Sequence, residues 1–154
     1  MKTKIFALTL AFCFLAAGRC LAADPQMGTW KLNESKSKLA PGTGKNSTVT
    51  YKSMLGNVKV TIDGIDAEGK PAHNAWTGKF DGKDYPVTGD PNSDMRSYRK
   101  VNDRTLDFTI KKGGKVTVTG RAVVAPDGKS RTVTSSGTTP KGKKFKNTTA
   151  YDKE

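Results

Sequence analysis

Along most of this chain apolar and polar side chains alternate one for one. Val58, Val60 and Ile62 alternate with Lys59, Thr61 and Asp63, and Leu106, Phe108 and Ile110 with Thr105, Asp107 and Thr109. Val116, Val118, Gly120 and Ala122 alternate with Thr117, Thr119 and Arg121; Val49, Tyr51 and Ser53 alternate with Thr50 and Lys52. A period of two marks a strand with one face inward and one in water. No window shows a convincing helical period. The nearest is one short turn at Ser35 to Leu39, held between Asn33 and Pro41.

The alternating runs are cut at regular intervals. Turn-forming groups fall at Gly44-Lys45, Gly56-Asn57, Glu68-Gly69-Lys70, Asp81-Gly82-Lys83, Asp90-Pro91-Asn92, Asn102-Asp103, Gly113-Gly114-Lys115, Pro126-Asp127-Gly128-Lys129 and Lys141-Gly142-Lys143. Glycine takes the positive φ of tight hairpin turns, and Asp or Asn tolerates it. These nine sites lie about 10 to 14 residues apart and divide the chain into about ten strands. Such spacing reads as antiparallel hairpins. An open meander of that length leaves two edges, which closure removes. The expectation is therefore an all-β fold, a single up-and-down antiparallel barrel of about 8 to 10 strands with no substantial helix. Trp30-Lys31-Leu32 and the run from Phe145 to Tyr151 are the expected closing pair. The recurrent Gly-Lys at turns marks hairpins, since no block is long enough for a repeat.

The first 23 of the 154 residues break the pattern. Lys2 and Lys4 precede an apolar run from Ile5 to Ala17, and Cys20-Leu21-Ala22-Ala23 ends in small residues. This is the form of a cleaved signal peptide at residues 1–23, leaving a domain at 24–154 that is secreted or periplasmic. The apolar run is shorter than the roughly 20 residues a membrane span needs. Arg19 before Cys20 argues against lipid anchoring at that cysteine. Cys13 and Cys20 leave with the leader, so the expected domain has no disulfide, thiol nucleophile or thiolate metal site.

The formal net charge is +13, and three of those charges belong to the leader, leaving +10. Most are lysines beside turns, a balance that favours solubility and contact with anionic surfaces. A nucleic-acid groove would need arginines and aromatics on one face. The five arginines after the leader are scattered, so nucleic acid is not an expected partner.

Catalytic chemistry has little to stand on. The one histidine, His73, falls on the polar face of its strand, opposite Asn74, Trp76, Gly78 and Phe80. A general base needs a positioned partner, and none is identifiable; no catalytic residue and no enzyme is expected. Asp90-Pro91-Asn92-Ser93-Asp94 starts like a calcium loop, but Met95 and Val101 stand where an EF-hand needs Gly and Glu. Adventitious cation binding by Asp81, Asp84, Asp90 and Asp94 is the most that pattern offers, so neither metal nor cofactor is expected. Asn33-Glu34-Ser35, Asn46-Ser47-Thr48 and Asn147-Thr148-Thr149 fit the glycosylation sequon, which matters only in a eukaryotic host; the leader reads as bacterial.

After the leader come about 20 Val, Ile, Leu and Met residues and nine aromatics. A ten-stranded barrel has about 40 inward positions. Small or polar residues must fill several of them, which implies a thin barrel or a hydrated cavity. The cavity candidates are Trp30, Tyr51, Trp76, Phe80, Tyr85 and Phe108, with Ser53, Asn74 and Tyr151 as polar points. Equally, these aromatics simply fill the core.

Gly28-Thr29-Trp30 on the first strand resembles the Gly-x-Trp signature of the calycin superfamily: lipocalins, fatty-acid-binding proteins and avidins. Gly28-Thr29-Trp30-Lys31-Leu32 resembles the first strand of fatty-acid-binding proteins, and Thr149-Ala150-Tyr151-Asp152-Lys153 their closing strand. The run Gly28 to Asn33 followed by Lys36-Ser37-Lys38 is most similar to small secreted bacterial lipocalin-like proteins without assigned activity. The resemblance implies a lipocalin-like barrel in which Gly28 and Trp30 plug the closed end. The chain departs from it in three respects. Asn33 to Gly44 is too short for the helical lid of fatty-acid-binding proteins, and Thr149 replaces the arginine of their Arg-x-Tyr carboxylate clamp, whose tyrosine Tyr151 matches. The second lipocalin motif and C-terminal helix are also missing. The expected function is enclosure of a small apolar or amphipathic ligand. The alternative is an envelope interaction module presenting Lys111-Lys112 and Lys141-Gly142-Lys143-Lys144 to anionic polymers or a partner protein.

Overall fold

The computed structural model describes residues 23–154, so both cysteines and all but the last residue of the expected signal peptide lie outside the described residues. Ten strands follow one another: β1 (Gly28–Lys38), β2 (Lys45–Met54), β3 (Asn57–Ile65), β4 (Pro71–Gly78), β5 (Tyr85–Thr88), β6 (Met95–Asn102), β7 (Thr105–Lys112), β8 (Lys115–Val124), β9 (Ser130–Thr138) and β10 (Lys144–Lys153). Each pairs antiparallel with its sequence neighbours, and β1 pairs with β10 to close the barrel. Leu32 lies opposite Tyr151 and Trp30 opposite Lys153, the expected closing pair. There is no helix among the described residues.

One local expectation fails. Ser35 to Leu39 is not a helical turn; β1 continues through Lys38 by way of a register shift between Asn33 and Lys38. Side chains hold the irregularity together. Ser37 Oγ donates to Asn33 O at 2.7 Å and accepts from Ala150 N at 2.9 Å, replacing ladder bonds that the bulge removes. Buried Asn147 then ties the following loop down, accepting from Ala40 N at 2.7 Å and donating to Thr43 Oγ1 at 3.3 Å.

The β5 strand is the weak seam. Its four residues pair with β4 only at Ala75–Thr88 and Trp76–Val87, and with β6 only at Tyr85–Arg96 and Pro86–Met95. The loop before it continues the sheet, with Gly82 N donating to Tyr98 O at 2.8 Å and Lys100 N to Phe80 O at 3.1 Å.

The up-and-down path puts the start of β1 and the β2–β3, β4–β5, β6–β7 and β8–β9 turns at one end. That end is closed. Asp24 to Met27 folds over it, and Trp30, fully buried, donates its indole N–H to Gln26 O at 3.0 Å. Lys153 Nζ donates to Pro25 O at 3.1 Å and lies 5.0 Å from the Trp30 ring centroid. Val49, Val60, Leu106, Ala122 and Val124 complete the buried core. By contrast Leu32, Val58, Val87, Phe108 and Val133 face inward but are only partly buried. The outward faces of β8 to β10 carry Thr119, Arg121, Thr132, Thr134, Ser136 and Lys146, so they lack the apolar band of a lipid-spanning barrel.

Candidate ligand site inside the barrel

Alternation along five strands and one loop brings a set of aromatic rings together. Tyr51, Trp76, Tyr85, Tyr98 and Phe108 come from β2, β4, β5, β6 and β7, and Phe80 from the loop after β4. Their centroids lie between 4.8 Å, for Trp76–Tyr98, and 6.4 Å, for the stacked Trp76–Phe80 pair. Tyr51 meets Phe80 and Tyr98 edge-on, and Trp76 meets Tyr85 edge-on. Such contacts are worth about 0.5–1.5 kcal/mol each beyond burial. Two glycines make room for the rings. A side chain at Gly78 would strike Tyr85 and Trp76, and one at Gly120 would strike Phe108. Five of the expected cavity residues thus meet in one cluster: Tyr51, Trp76, Phe80, Tyr85 and Phe108.

The other expected residues divide. Tyr151 is buried and donates to Asn46 O at 3.1 Å. Asn74 accepts from Arg96 Nη2 at 3.2 Å. Ser53, expected as a polar point of the cavity, is exposed, because β2 ends one residue later in the hairpin. Trp30 sits under the capping segment with Gly28, which takes φ +106° where the chain enters the barrel.

The residues that sequence reasoning missed are charged. Arg131 is 3% exposed, and its guanidinium carbon lies 4.8, 5.0 and 4.9 Å from the ring centroids of Trp30, Tyr51 and Tyr151. Its Nε and Nη1 are buried without a protein acceptor. Arg96 is also 3% exposed; beyond its bond to Asn74, its Nε and Nη1 likewise lack an acceptor. Neither arginine forms an ion pair with a carboxylate among the described residues. The phenols respond to this interior. Burial holds Tyr98 well above the ordinary phenol range, Tyr51 reinforces the shift and Arg96 opposes it. Burial pushes Tyr151 up to about 12, against the charge of Arg131. The available signal was period two itself. Arg131 lies two residues before inward-facing Val133, and Arg96 two before Tyr98.

Outside the barrel the polar groups have ordinary partners. Asp107 accepts from Arg121 Nε at 2.6 Å and Arg99 Nη2 at 2.8 Å; the Arg121 bond, foremost, holds its carboxyl below the usual range. Two clefts of about 280 and 290 Å³ flank Asp107, Thr119 and Gly120; of the cavity candidates only Phe108 lines either. Asp81, Asp90 and Asp94 accept from Lys83 N, Asn92 N and Gly113 N, and Asp84 pairs with Lys111. Among the described residues no group of three or more His, Cys, Asp or Glu is placed to hold a metal ion. His73 is exposed, with Nδ1 2.6 Å from Asp63 Oδ1. Lys111 and Lys141, expected to face anionic polymers, are engaged by Asp84 and Glu68.

No family model matches this chain, and no curated protein matches it. Among solved structures it is similar to a redesigned beta barrel, mFAP1, bound to DFHBI, at 17% identity and a TM-score of 0.43. That match covers 86% of this chain and 98% of the other.

Proposed function

We propose that this chain is a secreted or periplasmic binding barrel of calycin type that encloses a small amphipathic molecule bearing one anionic group. The observation that carries the reading is the pair of buried guanidinium groups with unused donors. Buried charges in proteins are paired, since an uncompensated one costs several kcal/mol. Contact with aromatic rings offsets about 0.5–2 kcal/mol of this and leaves the in-plane N–H groups of Arg131 unserved. A guanidinium is a planar, permanently charged donor group, and its N–H groups suit the oxygens of a carboxylate or sulfonate. The partly buried apolar faces of Leu32, Val87, Phe108 and Val133 suit the tail. Arg131 lies on β9 and Arg96 on β6, so neither stands on the last strand, where an Arg-x-Tyr clamp has its arginine.

The test is a titration of the purified protein with a medium-chain fatty carboxylate and with the alcohol of equal length, followed by tryptophan emission. The expected result is saturable binding of the acid at least tenfold tighter than the alcohol. Arg131→Met is expected to abolish that preference. Equal binding of acid and alcohol by the unaltered protein would refute anion recognition, and water would then serve the arginines. Absence of saturable binding to both would remove the enclosure reading itself.

A further inference from the structure

The hairpin between β2 and β3 carries a feature that the fold does not require. Its two-residue turn, Leu55-Gly56, has φ +42° and +81°. Positive φ at both positions suits Asn-Gly, and a leucine there is strained. Leu55 is also fully exposed, the preceding Met54 is 46% exposed, and neither belongs to the hydrophobic core. A residue unfavourable both in conformation and in exposure has no role in folding this turn.

Positive charge lines the outward face beside the tip. Lys52 and Lys59 stand directly opposite one another across the hairpin, an arrangement that like-charge repulsion disfavours. Lys59 pairs with Thr77 of β4, and Lys79 follows two residues along the same outward row. All three lysines are exposed, and none forms an ion pair among the described residues. The neighbouring acid, Asp81, is occupied by Lys83 N and the Tyr85 hydroxyl. An apolar tip beside a row of unpaired ammonium groups fits a layered partner, negative at its surface and apolar just beneath.

We infer that the Met54-Leu55 tip docks the barrel onto an anionic lipid surface, with Leu55 entering the headgroup boundary and Lys52, Lys59 and Lys79 resting on lipid phosphates. This surface differs from the lysine loops at the other end of the barrel, and the inference stands independently of any ligand inside it.

The test is co-sedimentation of the protein with vesicles of phosphatidylcholine alone or mixed with phosphatidylglycerol. Binding is expected only to the mixed vesicles and is expected to fall as salt rises. Leu55→Asn, which suits the positive φ, is expected to keep or raise the unfolding midpoint and to reduce the bound fraction at least fivefold. Lys52→Gln with Lys59→Gln is expected to remove the preference for anionic lipid. No binding to mixed vesicles overturns the inference, as does undiminished binding by Leu55→Asn, which would assign adhesion to net charge alone. Concentration-dependent dimers that vanish in Leu55→Asn, without vesicle binding, would show that the tip meets a second copy of the chain instead.

Discussion

At the scale of single residues, the barrel interior sets Arg131 against Trp30. Trp30 is fully buried under the segment from Asp24 to Met27, so Trp30→Ala leaves a large void and is expected to lower unfolding free energy by about 3–5 kcal/mol. A denaturant midpoint shift of that size at unchanged slope is the check. Arg131→Met replaces an unserved buried charge by an apolar chain of similar length. Removing a buried charge that has no acceptor removes its desolvation cost, so this variant is expected to unfold no earlier while losing carboxylate binding. A structural arginine would lose stability instead. Gly28 and Trp30 stood out in the sequence because a glycine and an aromatic open the first strand. Arg131 does not stand out, because Val133 is the one large apolar residue on its strand and arginines are ordinarily exposed. The alternation that buries Val133 buries Arg131 equally.

At the scale of elements, turn chemistry located the strands and said little about how firmly each pair is joined. The β9–β10 ladder runs unbroken from Lys144–Thr138 to Asp152–Ser130, whereas β5 has two paired positions on each side. Local opening follows such differences. Amide hydrogen exchange is expected to be fastest, within the sheet, at Tyr85 and Val87 and slowest in β9 and β10. Equal protection across β5 and β9 would contradict the seam. The sequence shows why β5 is short, since Asp81-Gly82-Lys83 and Asp90-Pro91-Asn92 leave little chain between them. The bulge in β1 was less legible. Ser35 to Lys38 is polar throughout, without an apolar rhythm to separate a strand from a turn, and the groups that fix it belong to β10.

At the scale of the whole molecule, the interior tyrosines couple folding to alkaline pH. Tyr151 and Tyr98 are both raised from 10.0, the first to about 12, because burial disfavours the phenolate. A raised folded pKa means that the contribution is complete below the unfolded value and is lost as pH climbs through the folded one. Stability is therefore expected to hold up to about pH 10 and to fall between about pH 10 and 12. Phenolate absorbance should show Tyr98 and Tyr151 ionising only as the barrel unfolds. Ordinary titration of Tyr98 and Tyr151 in the folded protein would contradict their burial. The closed barrel itself was legible, because regular turns and strict alternation permit few other ways to hide two edges. Whether its interior would be apolar throughout was not, since that depends on which strands face each other across the barrel.

The pairing of β1 with β10 also sets a clock. Trp30 is sealed by Arg131 and Lys153, residues made about a hundred positions later on the chain. Nascent chains therefore hold an exposed indole until synthesis is nearly over. The last strand acts as a latch, and contacts of such long sequence separation form slowly. A chain cut short before β10 would therefore leave the Trp30 indole open to solvent and the barrel unclosed.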